Sequence, residues 1–240
     1  MHSPRGVIIT RPEPGLGETA LAVAGLGWVP VPAPALHVRP CPVGSLPGQP
    51  AALLLTSGQA VAMAASSVPL SVPVFAVGDR TAQKATQAGF TIVKSAQGNA
   101  QALVSLLVRH GAPDRGPLLL FSGAGQGLEL AAALRGHGFR VVRRVVYRTQ
   151  PVRGFSLSVA QALEAGEIAA ILFFSARSAQ SWLRCVPGGG LSGQVRALRA
   201  IVISDEVAKT LRLAGWRGPV SVAATPDAPA MLAALGAVGA

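Results

Sequence analysis

Acidic residues are scarce in this chain: 10 Asp and Glu stand against 21 Lys and Arg in 240 residues, a formal charge of +11. Lysine is scarcer still, with only Lys84, Lys94 and Lys209, so the cationic groups are almost all arginine. The guanidinium fork suits carboxylate or phosphate, which points to an anionic partner, although an Ala- and Arg-rich composition also produces such a balance. Aromatic residues make up 5%, and no basic run stands out beyond Arg143 and Arg144. The clustered, aromatic-interleaved charge of a nucleic-acid surface is therefore missing, and no nucleic-acid partner is expected. Two cysteines, Cys41 and Cys185, make neither a disulfide framework nor a metal site and are expected to be reduced thiols. The histidines His2, His37, His110 and His137 lack ligand spacing, so no metal is expected. The longest strongly apolar run, IAAILFF at 168–174, is too short to span a bilayer, and no membrane partner is expected. MHSPRGVIIT at the start lacks the long apolar core of a secretory signal, which leaves the cytoplasm as the expected location.

What the chain does have is half its residues hydrophobic, enough for a real core, and an internal duplication. ALLLTSGQAVAMA at 52–64 resembles AILFFSARSAQSW at 170–182, with Thr56 on Ser175. VFAVGDRTAQKATQAGF at 74–90 matches AIVISDEVAKTLRLAGW at 200–216 without a gap, placing Gly89 on Gly215 and Phe90 on Trp216. GVIITRPEPGLGETALAVAGLGWVPV at 6–31 matches PLLLFSGAGQGLELAAALRGHGFRVV at 117–142 after a one-residue adjustment. Each unit reads as strand, turn, helix, then Gly and an aromatic leading into the next strand, the pattern of a parallel α/β sheet.

The simple cut between halves falls near residue 116. Two extended segments, the Pro-rich 30–50 and VVYRTQPVRG at 145–154, instead suggest that the chain crosses between domains twice. The expectation is a discontinuous domain 1 of residues 1–34 plus 153–240, an inserted domain 2 of residues 40–146, and hinge strands at 35–39 and 147–152. A cleft for a polyanion would lie between their facing edges.

Ligands of open parallel sheets bind beyond the carboxyl ends of the strands. Those ends carry Thr10, Thr56, Ser57, Gly78, Ser122, Gly123, Ser175 and Ser204, each expected just before a helix, where free N–H groups meet an anion. The plain alternative for each hydroxyl is a helix N-cap. Gly123, Gly125 and Gly127 suggest a glycine-rich turn but do not fit the dinucleotide fingerprint, and no nucleophile elbow or phosphate-loop lysine is present. Tyr147, the sole tyrosine, lies in the second crossing, where its phenol would serve either as a proton donor or as hinge packing.

Taken in order, IITRP at 8–12, LLLTSGQAV at 53–61, VFAVGDRTA at 74–82, SAQGNAQAL at 95–103, LLLFSGAGQGLEL at 118–130, VVYRT at 145–149, FFSARSA at 173–179 and SDEVAKTL at 204–211 resemble the uroporphyrinogen-III synthase family. The resemblance implies two similar flavodoxin-like, parallel-sheet α/β domains joined by a two-stranded β hinge. It implies a cofactor-free enzyme that cyclises hydroxymethylbilane, a linear tetrapyrrole with eight carboxylates, inverting ring D and losing water. A transient hand-over from hydroxymethylbilane synthase is the implied protein contact. By motif, Tyr147 matches the family tyrosine proposed to assist departure of the hydroxyl, and Thr81 the threonine of the G-x-x-T-A turn that ends at Ala82. The candidate substrate-binding set is then Thr10, Arg11, Thr56, Ser57, Gly78, Thr81, Ala82, Ser122, Gly123, Ser175, Arg177, Ser178 and Ser204. One departure is Val207, which stands where many relatives carry threonine. The competing class is a non-catalytic hinge binder of a polyanion, and turnover of hydroxymethylbilane separates the two.

Overall fold

The computed structural model describes residues 5–13, 15–46, 48–110, 115–186 and 190–239, with the side chains of 190 and 191 left aside. His2 and the first four residues of the N-terminal segment lie outside the described residues. The elements run β1 (Gly6–Ile9), α1 (Leu16–Gly25), β2 (Val29–Pro32), β3 (Leu36–Pro40), β4 (Ala52–Leu55), a 3-10 turn (Gly58–Ala60), α2 (Val61–Ser67), β5 (Val74–Ala76), α3 (Asp79–Gln87), β6 (Val93–Ser95) and α4 (Ala100–His110). They continue with β7 (Leu118–Gly123), α5 (Leu128–Gly136), β8 (Val141–Pro151), α6 (Leu157–Glu164), β9 (Ile168–Phe173), α7 (Ala176–Arg184), α8 (Gly190–Ala197), β10 (Arg199–Val202), α9 (Asp205–Leu213), β11 (Val220–Val222) and α10 (Ala228–Leu235).

The chain divides into two compact units, Met1–His37 with Gln150–Ala240, and Val38–Thr149. It passes out of the first within β3 and returns within β8, and these two strands are neighbours in one sheet. The first unit holds a sheet of order β11-β10-β9-β1-β2, the second β6-β5-β4-β7-β8 with β3 beyond β8. The repeats map β9 onto β4, β10 onto β5, β1 onto β7 and β2 onto β8, so the two sheets have one order. Register agrees as well: Ile8 pairs with Ile171 and Val31, and its counterpart Leu119 pairs with Leu53 and Val142. These pairings are parallel, the α/β class that alternating strand and helix patterns imply.

Continuous apolar strands suit sheets covered on both faces, and β1, β4 and β7 are buried along their whole length. In the first unit one face packs around Ile8, Ile171, Phe173, Trp182, Leu211 and Trp216, the other around Val7, Ile9, Leu172, Ile201 and Met231. In the second, Leu53, Leu55, Leu119 and Phe121 face one layer and Leu54, Leu103, Leu120 and Phe139 the other.

The repeated glycine-aromatic pair has a local cause. Gly27, Gly89, Gly138 and Gly215 end α1, α3, α5 and α9 at φ 85°, 98°, 85° and 79°, a region that side chains resist. The next residue then donates back into the helix, Trp28 to Val23, Phe90 to Ala85, Phe139 to Leu134 and Trp216 to Leu211, at 3.0–3.3 Å. Each glycine thus closes its helix with two backbone bonds, and the aromatic ring is turned towards the sheet.

Candidate active site

Apart from β3, which runs against β8, the strands of each sheet are parallel, so their carboxyl ends share one edge within each unit, and the expected site residues fall there. Only some of them open a helix. Gly78, Ser175 and Ser204 are the N-caps of α3, α7 and α9, and Ser57 caps the 3-10 turn by accepting from the Gln59 N–H at 3.2 Å. With Leu53 matched to Ile171 by register, Ser57 rather than Thr56 is the counterpart of Ser175. Thr10, Ser122 and Gly123 open no helix, because α1 begins at Leu16 and α5 at Leu128. The expectation that every such residue sits just before a helix is corrected at these three, where longer turns separate strand from helix: Gly15 and Gly127 stand just before α1 and α5 instead.

In the first unit most donors already have partners. Thr10 is fully buried and its hydroxyl donates to the Leu172 carbonyl at 2.7 Å, stitching β1 to β9. Arg11 lies over the Phe174 ring at 4.6 Å and donates to the Thr19 hydroxyl at 3.2 Å. Ser175 accepts from the Ser178 N–H at 3.0 Å, and Ser178 returns its hydroxyl to the Ser175 carbonyl at 2.9 Å. Ser178 is buried, whereas Arg177 is exposed. Ser204 is half-buried and makes no side-chain cap. Val207, one helical turn on, is buried in the core beside Leu211.

The second unit's edge is arranged differently. Thr56 and Ser57 are half-buried after β4, and Thr81, 9% exposed, stands in the first turn of α3, where Thr81 and Ala82 both donate their N–H to the Gly78 carbonyl at 3.1 Å. Ser122 and Gly123 end β7 beside Tyr147 of β8, where the register slips between Ser122 and Gly123. The Ala124 N–H donates to the Tyr147 carbonyl at 2.9 Å, and the Tyr147 hydroxyl donates to Gln126 Oε1 at 2.9 Å. Tyr147 is 4% exposed and packs with Phe121 and Leu55 in the core layer. Burial pushes its phenol above the ordinary value of 10.0, and a hydrogen bond with the Ser57 side chain pulls it part of the way back. The phenol is therefore protonated at neutral pH, and its burial makes it a weaker acid than a free tyrosine.

The glycine-rich turn is built for this tyrosine. A Cβ on Gly123 would stand 2.8 Å from two ring atoms of Tyr147 and 2.8 Å from Gln126 Oε1, closer than carbon atoms pack. Gly127 adopts φ 77°, which folds the turn back towards Ser122. Arg143 of β8 then fixes it, donating to the Ser122 hydroxyl at 3.1 Å and the Gln126 carbonyl at 3.0 Å. Gln126 and Arg143 were not candidates on sequence; the one trace of Gln126 was its place inside the Gly123–Gly127 run.

Among the described residues, no cluster of three His, Cys, Asp or Glu forms a metal site, and no helix is long and apolar enough to cross a membrane. Cys41 and Cys185 are free thiols, and burial pushes the Cys185 thiol up against the opposing pull of Arg184.

The family model described as Uroporphyrinogen-III synthase HemD matches residues 17–233. The chain belongs to the uroporphyrinogen-III synthase family. Its activity is that of a cyclising lyase in tetrapyrrole biosynthesis. Among solved structures, uroporphyrinogen-III synthetase of Helicobacter pylori superposes with a TM-score of 0.62 at 18% identity, covering 95% of this chain and 97% of that one. A mutant uroporphyrinogen III synthase of the extremely thermophilic bacterium Thermus thermophilus gives 0.51 at 22% identity, covering 96% of both. At such identities the likeness is one of fold. No curated protein matches the chain in sequence.

Proposed function

We propose that the chain folds and closes hydroxymethylbilane to uroporphyrinogen III, with the strand-end residues donating hydrogen bonds to its carboxylates and Tyr147 as the acid. The reading rests above all on one observation: the sole phenol of the chain is held protonated at a carboxyl-end edge, between Gln126 and Ser57. In the first step the phenol O–H breaks and its proton goes to the departing hydroxyl oxygen. That oxygen leaves as water with the C–O electron pair, and the pyrrole nitrogen lone pair fills the deficit left on carbon. The proton released when the new ring bond rearomatises returns to the phenolate.

A metal or a reducing group is not needed, because the electron-rich pyrrole drives the loss of water. The larger demand is order in a floppy chain. Effective molarities of about 10⁵ M or more are reached when reacting ends are held together. The backbone N–H of Gly78, hydroxyls at Thr56, Ser57, Thr81, Ser175 and Ser204, and the cations Arg11 and Arg177 are the proposed carboxylate holders, while Ala82, whose N–H closes the first turn of α3, and the buried Ser122, held by Arg143, shape the edge. The net charge of +11 draws an octa-anion from solution. Thr10 and Ser178, whose hydroxyls bond to the backbone, serve by shaping the edge; Gly123 serves by making room for Tyr147. Action in the cytoplasm and receipt of the substrate from hydroxymethylbilane synthase complete the proposal.

The test is incubation of the purified chain with enzymatically generated hydroxymethylbilane and separation of the III and I isomers. Formation of the III isomer is expected. Accumulation of the I isomer alone, at the rate without protein, would leave a polyanion binder in place of an enzyme.

A further inference from the structure

We infer that Gln126 is a positioning residue for the reaction, holding the Tyr147 phenol in place and taking up its proton-donor bond until substrate arrives. The inference rests on the reading of Tyr147 as the acid. A phenol has one proton, and here that proton is directed at Gln126 Oε1 across 2.9 Å. An O–H so engaged cannot also serve the substrate, so the bond must be exchanged when the leaving hydroxyl comes in. A carboxamide is suited to that exchange. Turned over, it presents Nε2–H in place of Oε1, and the same side chain that accepts from the phenol then donates to the phenolate. The group that holds the proton in the resting enzyme thereby stabilises the charge left behind, in partnership with the Ser57 side chain.

Everything around Gln126 serves to aim it. Its own residue is exposed on the turn, yet its side chain reaches inward over Gly123, where a Cβ would collide with both Oε1 and the tyrosine ring. Its carbonyl is gripped by Arg143, which also holds Ser122. Tyr147 and Arg143 share β8, so phenol and amide are referred to the same strand. A glutamine kept only to wet the surface would need neither the bare Gly123 nor the clamp.

Tyr147 is the only tyrosine, so the alkaline rise in near-ultraviolet absorbance from tyrosinate, read as a difference over the absorbance of the three tryptophans, reports this one phenol in the full chain. Two readouts are taken on each variant: the alkaline midpoint of that signal, and isomer-resolved turnover. Gln126→Glu puts a carboxylate against the phenol and should raise the midpoint by about one pH unit or more. It should lower kcat by about tenfold or more with KM within about twofold, because the phenolate loses a donor and gains a like charge. Gln126→Asn keeps the amide but falls one methylene short, and should lower kcat without the upward shift of Gln126→Glu. An unmoved midpoint in Gln126→Glu overturns the contact, whatever turnover does. A raised midpoint with unchanged turnover keeps the contact but removes the phenol from the reaction, and so overturns both Tyr147 as acid and Gln126 as its positioner. Position 126 is exposed, so its variants should fold, and Gly123→Ala supplies a second approach: displacement of ring and amide should also shift the midpoint and reduce kcat.

Discussion

The two units are built on one plan and use it differently. Their sheets have the same strand order and register, and their helices end on the same glycine-aromatic closure. Their carboxyl edges diverge. In the first unit, Thr10 and Ser178 bond to backbone carbonyls, and Val207 is turned into the core. In the second, the position equivalent to Val207 is Thr81, and the strand equivalent to β2 is lengthened into β8, which brings Tyr147 beside Gly123. The cores diverge in the opposite sense, since Trp182 fills the place that Ala64 takes in the second unit. A duplicated scaffold conserves what sets the backbone, while the side chains at the strand ends are free to take up different work.

The largest effect is expected where the units are most alike. Ile8→Ala and Leu119→Ala each delete a fully buried side chain from the centre of a sheet and should each cost about 2–5 kcal/mol, read as a fall in denaturant midpoint. A cost confined to one of them would show that the matching registers conceal unequal packing.

Next comes the contrast between edges. Tyr147→Phe should cut turnover by a factor of about 10² with the fold intact. Ser175→Ala, in the first unit, should lose about 1 kcal/mol of stability as a helix cap, with kcat within about threefold of the wild type and the lost carboxylate contact seen as a raised KM. Wild-type turnover in Tyr147→Phe would remove the difference in chemistry between the two edges.

A reciprocal exchange is sharper, if smaller. Val207→Thr places a hydroxyl in the core and should cost about 1–2 kcal/mol with no gain in rate. Thr81→Val should leave the melting temperature nearly unchanged and weaken substrate binding, seen as a raised KM. The least effect concerns pH. The Tyr147 phenol is raised in the fold above 10.0, its ordinary value, so the folded state holds its proton longer than the unfolded one. Stability from this group should be constant below about pH 10 and decline as pH rises further, and Tyr147→Phe should abolish that decline.

The α/β class was legible because continuous apolar strands, positive-φ glycines and the aromatics after them are local facts, each repeated. The equivalence of Phe90 with Trp216, or of Gly89 with Gly215, could be read without knowing any contact, whereas that of Ser57 with Ser175 needed the sheet register, which moves the sequence pairing of Thr56 by one residue. The bond between Tyr147 and Gln126 could not, since it joins residues brought together by the slipped register of β7 and β8. Nor could the burial of Thr10: a hydroxyl at a strand end looks the same in sequence whether it faces a ligand or Leu172. The glycines at 123–127 are a glycine-rich turn without the dinucleotide fingerprint, and the task of Gly123, making room for the Tyr147 ring, is visible only in the contacts.

The position of β9 carries a consequence for biosynthesis on the ribosome. It lies between β1 and β10, so Gly6 must wait for Ile168 before its sheet can close. The inserted unit, drawn from the continuous stretch Val38–Thr149, has all of its chain in hand much earlier. Nascent β1 and β2 therefore emerge with apolar faces and unpaired edges, while the unit that follows them is already able to fold. Vectorial synthesis thus gives the later-completed unit a period of exposure that its twin is spared, and it is in that interval that the chain most needs protection from its neighbours.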